Sequence, residues 1–185
     1  KLSENREVRH YRKRDTLFEE GEFPKQLFFI KKGRVKTFKS TEFGKELIIE
    51  VYKKGSFLGF IPLIQDGKYT ESATAMEDTE LAIIPKKDFI TLLHGNTNVT
   101  AQLVKMLADN VIEKEEQLLS LAYDSVRRKV ADALLQLATT YDKKGHAQFS
   151  ILREDLANMV GTAKETVIRT LSEFREDGLI NLKGS

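Results

Sequence analysis

Residues 153–175 read R-E-D-L-A-N-M-V-G-T-A-K-E-T-V-I-R-T-L-S-E-F-R, and few folds accommodate that order. Leu156, Ala157 and Val160 place apolar groups on one face of a first helix. Gly161 then interrupts the pattern where a tight turn needs a residue that tolerates positive φ. Val167, Leu171 and Phe174, spaced by four and three, form the buried stripe of a second helix. Ala157, four residues before the turn glycine, is small enough for the two helices to cross closely. Together these residues describe a helix-turn-helix of the kind that reads DNA.

The upstream text is strand-like from Thr16 to Ile84. Gln26 to Lys31, Arg34 to Phe38 and Leu47 to Tyr52 are β-branched or aromatic runs, and Ser72 to Ala75 and Glu80 to Ile84 complete the set. Turn signals at Gly21, Gly33, Gly44, Gly55 and Gly67 separate them. Short strands punctuated in this way predict an antiparallel β-roll or jelly-roll barrel. Pro85 ends the last strand and opens a short helix, Lys86 to Leu93. Gly95-Asn96-Thr97-Asn98 then breaks the chain before a long helix running to about Tyr123.

The apolar residues of that helix, Leu103, Met106, Leu107, Val111, Leu118 and Leu121, cover more than one coiled-coil seam. One part suits packing on the barrel and another a second copy of the helix. Asn110 and Lys114 lie near the seam, where polar groups set register. Leu103, Leu107, Val111 and Leu118 are the expected dimerisation residues. A helix packed only within its own chain is the simpler alternative. Asp124 and Ser125 can cap a further helix whose buried face is Val126, Val130, Ala133, Leu134, Leu137 and Tyr141, with Lys143-Lys144-Gly145 at its end. Short strands are expected at Gln148 to Ile151 and Leu179 to Leu182. Lys183-Gly184 reads as the tip of a β-wing whose return strand the sequence does not include.

This is an α+β chain with three expected parts: a β-roll at 1–96, a long dimerisation helix at 97–123 and an incomplete winged helix-turn-helix at 124–185. The absence of cysteine excludes disulfides, thiol catalysis and cysteine-held metals, and fits a reducing cytoplasm. No apolar run approaches the ~20 residues of a membrane span. A formal charge of +2 does not by itself announce nucleic-acid binding. No catalytic motif is present, and His10, His94 and His146 are too scattered for a triad, metal centre or haem site. The chain starts at Lys1 without a methionine, as a piece of a longer protein with an upstream domain would. The competing reading is a ligand-sensing or protein-interaction module that does not bind specific DNA.

The order barrel, long helix, winged helix-turn-helix resembles the CRP/FNR family of bacterial transcription regulators. The resemblance is strongest from Val160 to Arg169, where the family's typical text is V-G-x-S-R-E-T-V-x-R. It extends to the barrel glycines Gly21, Gly33, Gly44, Gly55 and Gly59. It implies a homodimer on a two-fold symmetric site in double-stranded DNA, with RNA polymerase as a further partner.

The resemblance places Lys164, Glu165, Thr166, Ile168 and Arg169 at the DNA. Arg169 can donate a bidentate pair to guanine, Glu165 can accept from cytosine, and Ile168 can touch a thymine methyl. Lys164, a lysine where the family often has arginine, suits a phosphate. Two plainer roles compete: Thr162-x-x-Glu165 is a capping-box pattern, and Glu173 stands one turn after Arg169 as an ion-pair partner.

In the cyclic-AMP receptors of this family the pocket text is F-G-E-L and then R-S-A. The glutamate accepts from the ribose and the arginine pairs with the cyclic phosphate. The matching positions here are Gly59-Phe60 and Glu71-Ser72-Ala73. A Thr-Ser pair that meets the adenine is replaced by Lys114-Glu115. The expectation is therefore a degenerate pocket that does not use cyclic AMP and is empty, filled by side chains such as Phe60, or adapted to another, unknown effector, with no cofactor.

Overall fold

A computed structural model describes residues 7–141 and 147–183. The helix end expected at Lys143-Lys144-Gly145, His146, the side chain of Tyr141 and the wing tip at Gly184 lie outside the described residues. The chain divides into two compact units, the first ending at Asp109 and the second beginning at Asn110.

The first unit contains eight strands: β1 (Val8–Tyr11), β2 (Thr16–Phe18), β3 (Gln26–Lys32), β4 (Arg34–Ser40), β5 (Glu46–Lys53), β6 (Phe57–Leu58), β7 (Ser72–Ala75) and β8 (Thr79–Pro85). They form two antiparallel sheets, in the orders β1-β8-β3-β6 and β2-β7-β4-β5. The expected roll is thus formed. Sequence reading passed over β1, β2 and β6, which are short, and over α1 (Phe60–Ile64).

β3 and β8 are apolar on both faces because both faces are covered. Phe28 and Ile30 of β3, with Leu81 and Ile83 of β8, join Phe18, Val35, Leu58, Tyr69 and Ala73 in the interior of the roll. Leu27 and Ile84 point the other way, into a second cluster with Phe60 and Leu63 of α1 and Phe89 of α2 (Lys86–Gly95). Leu103, Met106 and Leu107, on the first half of α3 (Thr97–Tyr123), pack partly buried on that cluster. Continuous apolar runs are what a strand covered on both faces requires.

Gly33 links β3 to β4 at φ 86°. A Cβ there would lie 2.8 Å from the Asp78 carbonyl oxygen and press on the Thr79 hydroxyl, so glycine is required for space as well as for φ. Beside it the buried Arg34 forks onto Glu77, with Nε and Nη2 donating at 3.1 and 2.9 Å. This bidentate geometry pins the turn more firmly than a lone ion pair would.

Inside the roll Tyr69 stacks on Phe18 at 3.7 Å between centroids. Burial, with help from Glu22, pushes the Tyr69 hydroxyl up to about 12. The folded unit therefore holds this proton more tightly than the unfolded chain does. The associated stability is complete below pH ~10 and is lost as pH rises from there through about 12, at ~1.4 kcal/mol per pH unit. Urea midpoints followed on the Leu58 and Leu81 methyl resonances should fall over that window, and less steeply in Tyr69→Phe. Identical slopes in the two proteins would refute the assignment.

The second unit holds the rest of α3, then α4 (Val126–Tyr141), α5 (Arg153–Val160) and α6 (Lys164–Glu176). Its core is Val130 and Ala133 of α4, Leu156, Ala157 and Val160 of α5, and Val167, Leu171 and Phe174 of α6. The expected strands at Gln148 to Ile151 and Leu179 to Leu182 are not formed. A strand needs a neighbour for its ladder, and no described segment pairs with either stretch. Instead Ile151, Ile180 and Leu182 pack, partly buried, on the helical core.

Candidate nucleic-acid interface

The turn between α5 and α6 is built as the sequence requires. Gly161 takes the left-handed conformation, φ 64° and ψ 40°, and its N–H donates to the Ala157 carbonyl. The Thr162 N–H bonds the same carbonyl at 3.1 Å. The N-cap of α6 is then Ala163, with no side-chain cap. Helix α6 thus starts one residue too late for Thr162 to cap it, and the capping-box role of Glu165 is not realised.

Burying Val167, Thr170, Leu171 and Phe174 turns the opposite face of α6 outward. Lys164, Glu165, Ile168 and Arg169 are exposed there, and Thr166 is half-buried at the margin. Glu165 and Arg169 stand one turn apart, as do Lys164 and Ile168, with Ile168 beside Arg169. Among the described residues no ion pair or side-chain hydrogen bond engages Lys164, Glu165 or Arg169. This stripe can donate two parallel hydrogen bonds, accept others and offer an aliphatic contact, the chemistry that reads base edges in a major groove.

The alternative ion pair between Arg169 and Glu173 is not made, and Glu173 is held from another helix. Arg127, in the first turn of α4, donates from Nη1 to Glu173 at 2.9 Å and from Nη2 to Asp177 at 2.6 Å. Its guanidinium also lies 4.6 Å from the Phe174 ring centroid. Sequence reading missed this residue. Its one signal was position, since Arg127, Arg128 and Lys129 crowd the helix end where cations are disfavoured unless paired. Arg128 pairs with Asp124 at 3.4 Å, and its N–H donates to the capping Ser125 hydroxyl at 3.3 Å.

Of the expected pocket residues, Phe60 packs apart from the roll interior. Gly59 starts α1 at φ 82°, and a Cβ there would meet the Tyr69 ring at 3.4 Å. Phe60 does not fill the roll; it is buried on the helix side with Leu27, Leu63, Ile84 and Phe89. The Ser72 hydroxyl accepts from the Glu20 N–H at 3.0 Å. Glu71 is half-buried. Burial raises the Tyr52 hydroxyl above its ordinary pKa, and the carboxylates of Glu71 and Glu50 raise it further. Thr37 stands directly across from Glu50 and Ala73 in the sheet. Lys68 lies over the Phe23 ring at 5.1 Å.

On α3, Leu103 and Leu107 are half-buried within the first unit, whereas Val111 and Leu118 are exposed, together with Val104, Ile112 and Leu119. No helix among the described residues is long and apolar enough to cross a membrane.

Residues 8–96 match the cyclic nucleotide-binding domain, and residues 128–185 match the Crp-like helix-turn-helix domain. The chain is similar to the cyclic AMP receptor protein of Thermus thermophilus, 30% identical over 94% of this chain and 79% of that one. It is likewise similar to the cAMP-activated global transcriptional regulator CRP of Salmonella typhimurium, 30% identical over 96% and 86%. Among solved structures, FixK2 from Bradyrhizobium japonicum shares the fold with a TM-score of 0.87 at 22% identity, covering 97% of this chain and 89% of that one. A CRP/FNR-family regulator of Thermus thermophilus shares it with a TM-score of 0.80 at 21% identity, covering 96% and 90%.

Proposed function

The chain belongs to the CRP/FNR family of bacterial transcription regulators, and on that premise we propose that two copies, joined through α3, read a two-fold symmetric DNA site with α6. The family consists of DNA-binding regulators, not enzymes. The observation that carries the finer reading is the unengaged outward stripe of Glu165, Ile168 and Arg169 behind a left-handed Gly161. Lys164 and Thr166 flank it and bind the DNA backbone. The protein works in the cytoplasm, where its DNA lies, and RNA polymerase is the partner through which it alters transcription.

Arg169→Ala should lose ~1–3 kcal/mol of discrimination at one guanine in each half-site. Lys164→Ala should weaken all sequences alike and flatten the salt dependence. Fluorescence anisotropy on single-base variants of a bound duplex separates the two. Unchanged base preference in Arg169→Ala would reject the assignment.

Cyclic AMP is not the switch of this protein, although the names of its relatives describe them as cyclic-AMP receptors. In the family's pocket an arginine neutralises the cyclic phosphate, and here that position is Glu71. Two like charges ~4 Å apart repel by about 4 kcal/mol at an effective dielectric near 20, worth several hundred-fold in binding. Phe60, turned to the helix side, offers no acceptor to the ribose. Calorimetry with cyclic AMP and cyclic GMP up to millimolar should show no saturable binding. A dissociation constant below ~100 μM, about −5.5 kcal/mol, would overturn this reading.

A further inference from the structure

We infer that Arg127 is a positioning residue for DNA recognition: by holding Glu173 it keeps Arg169 available to the bases. The inference rests on the assignment of Arg169 to DNA readout.

Arg169 and Glu173 are four apart on α6, the spacing at which opposite charges on a helix meet. A paired arginine cannot present its whole donor fork to guanine. The pair is not made. Glu173 is bonded instead to Nη1 of Arg127 at 2.9 Å, while Nη2 takes Asp177 at 2.6 Å. Arg127 is further fixed by the Phe174 ring beneath it, 4.6 Å away. One guanidinium on α4 therefore engages two of the carboxylates, Glu173 and Asp177, at the C-terminal end of the recognition helix. It leaves Arg169 with no ion pair among the described residues. It also offsets two negative charges on the helix that must approach phosphates.

A purely structural clamp would have no bearing on which base Arg169 prefers. The positioning role makes a distinct demand: without Arg127, the harm comes from Glu173, so removing Glu173 should undo it. Arg127→Met keeps an unbranched side chain over Phe174 and removes the charge. In the full-length protein at low salt, we expect Arg127→Met to weaken binding to a selected duplex by about three- to fivefold, two copies of an i,i+4 pair being formed in competition. Discrimination at the guanine read by Arg169 should fall with it. Adding Glu173→Gln should restore both to within about twofold of wild type, the scale of a single such pair. Glu173→Gln alone should leave both nearly unchanged.

Thermal melting of each variant reports folding separately. If Arg127→Met melts below the assay temperature, Arg127→Gln takes its place. Unaltered binding in the Arg127 variant, or a double variant as weak as the single one, overturns the inference provided that Arg169→Ala weakens binding. If Arg169→Ala itself has no effect, the recognition reading has failed, and the inference with it.

Discussion

Val111→Lys is expected to convert the proposed dimer to a monomer at micromolar concentration and to cost most of its DNA affinity. Val104, Val111 and Leu118 recur at heptad spacing on α3 and are more than half exposed in one chain, as are the adjoining Ile112 and Leu119. In a parallel pair of helices, residues at such a position meet their own copies across the two-fold axis. Two lysines would then be buried together without partners, costing several kcal/mol if the seam is dry. A monomer also holds only one half-site and forgoes the gain from linked binding. Leu103 is the control. It packs on the first unit's own cluster, so Leu103→Ala should lower that unit's stability and leave the protein dimeric. Sedimentation velocity reads both outcomes. A Val111→Lys protein that stays dimeric at the wild-type concentration range would remove α3 from the interface.

Leu171→Ala should abolish DNA binding at 37 °C without touching any DNA-facing group. Leu171 is 2% exposed, in a core with Leu156, Val160, Val167 and Phe174. Truncating a buried leucine costs ~2–5 kcal/mol, including the cavity left behind. Small units bury a small share of their surface, and total stabilities begin near ~5 kcal/mol. The second unit should melt, while methyl resonances of Leu58 and Leu81 keep their folded positions because those residues belong to the first unit's core. An unchanged melting temperature would show that the helical core is not what holds α6 in place.

The second unit was legible where local rules govern. Gly161 needed positive φ, and the Val167, Leu171 and Phe174 spacing needed a helix; both follow from adjacent residues. The plainer alternatives and some expectations fell to partners that the local pattern does not name. Thr162-x-x-Glu165 satisfies a capping pattern, but the Ala157 carbonyl draws in the N–H groups of Gly161 and Thr162 and moves the cap to Ala163. Arg169 and Glu173 satisfy an ion-pair spacing, but Arg127, 46 positions before Glu173, takes the carboxylate. Leu179 to Leu182 has strand-like residues, but local propensity cannot supply a neighbouring strand. Phe60 was read as a candidate for filling the roll because it stands where the resemblance places the ribose-binding glutamate. The left-handed Gly59 turns the chain into α1, and Phe60 leaves with it for the helix side.

The most direct test of DNA recognition by paired α6 helices is selection of bound duplexes from a random library by the purified protein. The expected motif is two-fold symmetric, with a guanine-containing half-site repeated about one helical turn, ~34 Å, away, because each α6 must enter successive major grooves on one face of the DNA. That guanine should lose its enrichment in Arg169→Ala. Recovery of no motif, or of an asymmetric one indifferent to Arg169, would contradict it.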